Sequence, residues 1–137
     1  MVIFISSRMV FSYLTKSRQA FFVPTHGFEV TSDLDYATQS GPMLIVDGKI
    51  NQKLTPGSSS LRVRNGVGVL PDGQVMFVLS KRFVTFYDFA HYFQQQGCQN
   101  ALYLDGSVSR MYLPEKNSLS DGRFGVMIGQ VNRLFDE

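Results

Sequence analysis

The chain has 137 residues with a net charge of +2, and 44% of them are apolar, so one domain with a real core is expected. Its basic residues are scattered, which argues against nucleic acid as the main partner, because phosphate-backbone binding wants a clustered basic face. Cys98 is the one cysteine and His26 and His91 lie far apart, so an internal disulfide and a Cys/His metal cluster are both excluded by count. The lone thiol leaves the redox compartment open, and no cofactor is expected.

Residues 1–20 hold two short apolar runs interrupted by Ser6-Ser7-Arg8. This pattern suits an edge strand or an irregular leader better than a signal peptide, and no run in the chain is long enough to cross a membrane. Residues 21–137 are expected to carry the domain itself. Ala20 to Val23 and Phe28 to Thr31 read as short strands joined through the turn-rich Pro24-Thr25-His26-Gly27, and the polar stretch from Ser32 to Ser40 reads as a loop. Met43 to Val46 is a buried strand, and Asp47-Gly48 turns it into Lys49-Ile50. Asn51 to Ser60 contains Pro56-Gly57-Ser58-Ser59-Ser60 and is a surface loop.

Arg62 to Leu70 and Gln74 to Ser80 form a hairpin about Pro71-Asp72-Gly73. A helix follows over about residues 85–97. Thr85 can cap it, Asp88 stands three residues on, Gly97 can stop it, and Phe86, Phe89, Ala90 and Phe93 make an apolar stripe. Ala101 to Leu104 is a buried strand, Arg110 to Leu113 another, Pro114 to Arg123 a polar loop, and Phe124 to Val131 a closing strand. The fold class is therefore α/β or α+β, a strand-dominated mixed sheet with one principal packed helix.

The segment from Asn100 to Tyr112 is the most informative. An apolar run stops at Asp105-Gly106-Ser107-Val108-Ser109, which is how a buried strand delivers polar groups to the rim of a sheet. Asp105 is read either as a turn or capping carboxylate or as a general base, nucleophile or electrostatic stabiliser. Ser107 and Ser109 alternate, so in an extended chain both hydroxyls point the same way, toward a phosphate or sugar oxygen or toward nearby backbone. Arg64 offers bidentate recognition of phosphate or carboxylate, or shares a solvated strand face with Arg62. Gln39 and Ser40, ahead of Gly41-Pro42, are read as lining a polar pocket or as a loop leading into a strand. No nucleophile elbow or Ser/His/Asp arrangement is visible.

Taken in order, Tyr36-Ala37-Thr38-Gln39-Ser40-Gly41-Pro42-Met43-Leu44, Arg64-Asn65-Gly66-Val67-Gly68-Val69, Phe86-Tyr87-Asp88-Phe89-Ala90, Asn100-Ala101-Leu102-Tyr103-Leu104-Asp105-Gly106 and Phe124-Gly125-Val126-Met127-Ile128-Gly129 resemble the phosphodiester glycosidase family. That family includes the lysosomal enzyme that removes N-acetylglucosamine from a sugar phosphodiester, and a bacterial, exopolysaccharide-related subgroup. The resemblance implies a hydrolase acting at the anomeric carbon of a sugar 1-phosphodiester or related glycan. In it Arg64 holds the phosphate, Asp105 is the carboxylate catalyst or stabiliser, and Gln39, Ser40, Gly41, Gly106, Ser107 and Ser109 line the substrate. It also implies an exported or periplasmic location.

Two features depart from the family pattern. The early Asn-Gly strand has no counterpart in residues 1–20, so a shortened chain is expected. Gly106-Ser107-Val108-Ser109 stands where Gly-Gly-x-Ser is usual. These departures keep a non-catalytic glycan or sugar-phosphate binding module, or an inactive shortened member, as alternatives. An open sheet edge left by missing strands makes a second copy of the chain an expected partner.

Overall fold

The computed structural model describes residues 9–105, 109–113 and 128–129. Strands β1 (Val10–Thr15), β2 (Ala20–Pro24) and β3 (Leu34–Ser40) form a three-stranded sheet in the order β2-β1-β3. Strands β4 (Met43–Val46), β5 (Lys49–Ile50), β6 (Asn65–Val69), β7 (Val75–Leu79) and β8 (Asn100–Asp105) form a five-stranded sheet in the order β5-β4-β8-β6-β7. Every named pairing is antiparallel. The one helix among the described residues, α1 (Phe86–Gln95), completes a strand-dominated α+β arrangement.

Strand β8 is central, with β4 on one side and β6 on the other. Successive side chains on a strand leave opposite faces. Ala101 and Tyr103 accordingly join Phe89, Ala90, Phe93 and Cys98 in the core under α1. Leu102 and Leu104 join Val10, Phe22, Met43 and Val67 in the layer between the two sheets. Covering on both faces explains why this strand is a continuous apolar run rather than an alternating one.

Local chemistry accounts for the elements that were legible. The Thr85 hydroxyl accepts the Asp88 N–H at 3.0 Å and donates to Asp88 Oδ2 at 2.7 Å, which caps the first turn of α1. In the β4–β5 hairpin both Asp47 and Gly48 have positive φ, 49° and 74°, as a type I′ turn requires. The β6–β7 hairpin pairs Val69 with Val75 around Pro71-Asp72-Gly73, as expected.

Four elements differ from expectation. Phe28 to Thr31 is not a strand, and Phe28 instead stacks on Phe11 with ring centroids 4.0 Å apart. The polar stretch expected to be a loop holds β3, whose Asp35, Tyr36 and Ala37 are exposed at the rim of the sheet. Its polarity reports solvent on an edge strand, not irregular backbone. Within residues 1–20, Val10–Thr15 is neither leader nor edge but the middle strand of its sheet. Arg110–Tyr112 is not a strand. Residues 1–8, the loop from Pro114 to Arg123 and the closing strand from Phe124 to Val131, save Ile128 and Gly129, lie outside the described residues.

The glycines of β6 set how closely α1 approaches. A Cβ at Gly66 would meet the Leu102 carbonyl oxygen at 2.8 Å, and one at Gly68 would meet Cys98 Sγ at 2.6 Å and the Phe93 ring at 2.8 Å. Both neighbours of Gly68 are fully buried and have nowhere to retreat. Gly68→Ala is therefore expected to destabilise the protein by about 1–3 kcal/mol. The strain outweighs the roughly 0.5–1 kcal/mol gained by removing a glycine from a strand. A denaturation midpoint equal to that of the unmodified protein would contradict this packing.

Burial also raises the Cys98 thiol above its ordinary pKa. The folded state then holds the proton more tightly than the unfolded chain. Stability should be constant at neutral pH and fall once pH passes about 8.5, where the unfolded thiol ionises. The check is a urea titration at several pH values, in which Cys98→Ala should remove this alkaline slope.

Candidate functional site

Asp105 is the last residue of β8 and pairs with Asn65, the first residue of β6. The register shifts between Asn65 and Gly66, so Gly66 pairs with Tyr103 and Leu104 is the extra residue of a bulge. Bulges of this kind re-aim the end of a strand. The hydroxyl of buried Ser40 lies 2.5 Å from the Tyr103 carbonyl oxygen and 2.9 Å from that of Leu104, so β3 supplies a donor to the backbone that the bulge releases. Past the cis Gly41–Pro42 bond, the Pro42 carbonyl accepts the Tyr103 N–H at 3.1 Å. The Gln39-Ser40-Gly41-Pro42 segment thus runs alongside β8 just before Asp105.

Gln39 and Ser40 do not share one wall. They leave opposite faces of β3, and the Gln39 amide donates to Thr25 Oγ1 at 2.8 Å while Thr25 donates to the Met9 carbonyl at 2.7 Å. Ser109 is buried, and its carbonyl accepts from Arg110 Nη1 at 2.8 Å. Gly106 and Ser107 lie outside the described residues.

Arg64 immediately precedes Asn65, beside the Asp105 end of the sheet, and is 1% exposed. Its Nε donates to the Val84 carbonyl at 3.0 Å and its Nη2 to the Ser60 carbonyl at 2.8 Å. The guanidinium lies over the Phe86 ring, 3.6 Å from the centroid, with the Tyr103 ring centroid at 5.6 Å. Burial lowers its pKa, and interaction with Tyr103 opposes that shift. The Arg64 N–H donates to Ser80 Oγ at 2.8 Å, and Ser80 N–H returns to the Arg64 carbonyl at 2.9 Å. Arg62 makes a bridge with Val84 and is exposed, so the pair does not form one solvated face.

These contacts correct the expected geometry of Arg64. Its Nε and Nη2 are turned onto backbone carbonyls and its plane onto an aromatic face, where the sequence suggested a free fork or a solvated strand face. Its charge is a fixed feature of the wall behind the strand end. Sequence inspection overlooked Phe86, Tyr103, Ser60 and Ser80 as its surroundings. Alternation along β8 placed Tyr103 on the same face as Ala101 and so toward α1, but nothing in the linear pattern brings Ser60 to it.

Asp88 is engaged by the helix cap. No cluster of metal-ligating side chains occurs among the described residues, and no buried side-chain polar atom among them lacks a partner. Two surface depressions, one lined by Arg18, Phe21 and Asp72 and one by Val46, Asn51 and Lys53, lie away from Arg64 and Asp105.

The family model described as phosphodiester glycosidase matches residues 7–130. The chain belongs to the phosphodiester glycosidase family. The protein named uncharacterized protein YigE, from Escherichia coli (strain K12), is 41% identical over 87 residues, which is 63% of this chain and 34% of that relative. The fold is similar to that of the catalytic domain of zebrafish N-acetylglucosamine-1-phosphodiester alpha-N-acetylglucosaminidase, auto-inhibited by pro-peptide. The TM-score is 0.57 at 15% identity, over 71% of this chain and 39% of that one. A hypothetical protein from Synechocystis aligns with a TM-score of 0.40 at 19% identity, over 77% of this chain and 29% of that one. The chain therefore spans about a third of the curated relative it matches. No described helix is long and apolar enough to cross a membrane.

Removing the Arg64 side chain leaves two carbonyls and two aromatic faces without their partner. Arg64→Ala is expected to lower stability by about 2–3 kcal/mol. Arg64→Lys should recover only part of that, because one ammonium cannot reach both carbonyls with the planar fork of a guanidinium. Equilibrium denaturation measures both, and an Arg64→Ala protein within about 0.5 kcal/mol of the unmodified chain would contradict a structural role.

Proposed function

We propose that the protein is a hydrolase that cleaves a sugar 1-phosphodiester at the anomeric carbon, with an N-acetylglucosamine 1-phosphodiester as the model substrate. The observation that carries the reading is the family's Asp-Gly motif falling at the end of the central strand of the sheet, where Asp105 pairs with Asn65 next to Arg64. The zebrafish neighbour's name supports the choice of sugar and linkage.

In this reaction the bond from C1 to the phosphate oxygen breaks and water supplies the new C1 hydroxyl. The phosphomonoester leaves as an anion. It is a good leaving group, so strong protonation is less necessary than for an ordinary glycoside. Asp105 stabilises the oxocarbenium-like centre or takes the proton from the attacking water. Arg64 contributes a fixed positive charge on the phosphate side, which is worth more in a wall closed to water than at a surface. Gly106 and Ser107 follow Asp105 directly and are proposed to meet the phosphate or sugar oxygens, with Ser109 behind them. Gln39 supports that rim through its bond to Thr25 and Ser40 through its bonds to β8, and Gly41 leads from them into Pro42, whose carbonyl also meets β8.

The test is release of free sugar from an N-acetylglucosamine 1-phosphodiester. Turnover is expected in the unmodified protein and should fall at least about 100-fold in Asp105→Asn. Arg64→Lys keeps the charge and should retain more activity than Arg64→Ala at equal folded fraction. Absence of turnover with retained binding of the phosphodiester would instead favour a non-catalytic binding module.

A further inference from the structure

The register that ends the central strand also decides which residues share a face with Asp105. Gly66 is on the side of α1, because a Cβ there would meet the Phe89 and Phe93 rings at 3.1 and 3.3 Å. Tyr103 stands opposite Gly66 and packs against the same core. Val67 is on the other side, in the layer between the two sheets. Alternation along β6 therefore puts Asn65 on the face of Val67 and Arg64 on the face of α1, where its guanidinium lies over Phe86.

Strict alternation along β8 would return Asp105 to the face of Tyr103. The extra residue, Leu104, reverses this: it packs between the sheets, and Asp105 takes the position directly opposite Asn65. Residues directly opposite in an antiparallel pair share one face and are near neighbours. The bulge thus gives Asp105 a half-buried amide residue as its cross-strand partner. Two other polar side chains close to this strand end are engaged with other groups, Ser40 with the Tyr103 and Leu104 carbonyls and Gln39 with Thr25. Among the described residues, the layer packed on this face supplies Val10 from β1, Phe22 from β2, Ser40 from β3 and Met43 from β4, none of them titratable. Arg64 and Arg62 belong to the opposite face, Arg62 being paired with Val84, which packs against the core under α1.

We propose that Asn65 is a positioning residue for Asp105, its side-chain amide donating a hydrogen bond across the ladder to the Asp105 carboxylate and fixing the orientation of that group where the strand ends. The pairing stands on the register; its use in catalysis rests on the hydrolase reading above. An amide suits the position because it offers donors without a charge, so it steadies a carboxylate without neutralising it. A carboxylate in its place would set like charges directly opposite each other. Arg64, on the far face, then supplies field, and Asn65 supplies direction.

Carbon-13 NMR of the side-chain carboxyls in the full chain follows Asp105 directly, its signal being identified by its loss in Asp105→Asn. Asn65→Ala removes the donor and should move the Asp105 midpoint to higher pH, and Asn65→Asp should move it further, since two carboxylates then face each other. Asn65→Ser keeps a donor and should fall between the unmodified protein and Asn65→Ala. The serine and aspartate variants keep a polar group at this half-buried place, so the comparison survives if Asn65→Ala does not fold. In the sugar-release assay, kcat should fall about tenfold in Asn65→Ala with KM little changed, and the acid limb of the kcat/KM profile should move in the same direction as the NMR midpoint. An Asp105 midpoint unmoved by Asn65→Ala and Asn65→Asp, or a loss of kcat with the acid limb in place, would overturn the proposal. Absence of turnover in the unmodified protein would sink the hydrolase reading alone, because the titration still decides whether Asn65 holds Asp105.

Discussion

A single buried cation ties together the parts of the structure that surround the candidate site. Burying a guanidinium is costly unless its donors and faces are met. Arg64 meets them by drawing in the Ser60 carbonyl from the long loop, the Val84 carbonyl from the approach to α1, the Phe86 ring from the helix and Tyr103 from β8. Its own backbone is locked to Ser80 beyond β7. Four contacts meet this one side chain and a fifth holds its backbone, at the place where β6 delivers Asn65 opposite Asp105.

The second constraint is the close approach of α1 to β6. Two glycines remove the side chains that would hold the helix off, and Phe89 and Phe93 fill the space over them. The first turn of that helix carries Phe86, the ring against which the Arg64 guanidinium lies. The helix thus links the packing of the sheet to the electrostatics of the strand end. On the other side of the sheet, Ser40 reaches from β3 to the bulged carbonyls of β8, so both layers hold the backbone that leads to Asp105.

Family membership and this geometry speak to different levels of function. The family match extends over nearly the whole chain, while the strand-end arrangement gives particular residues their place in the proposed chemistry. The inward turn of Arg64 changes how its charge can act. Held by the Val84 and Ser60 carbonyls and lying over the Phe86 ring, the guanidinium is a fixed charge in the wall beside the strand end.

Much of this was legible in the linear chain wherever the signal is local. Thr85 and Asp88 announce the helix because a cap needs only a hydroxyl and a carboxylate three residues apart. Asp47-Gly48 announces its hairpin because two positive φ values select those residues. The stop from apolar run to Asp105 marked the end of a central strand. Tertiary structure decided the rest, because the relevant partners are distant in sequence. β3 reads as polar loop until β1 is seen to pair with it, and Arg64 reads as a free fork until Ser60 and Val84 close around it. Polarity in a sequence states that a group must be satisfied; only the folded chain decides whether water, a ligand or its own backbone does so.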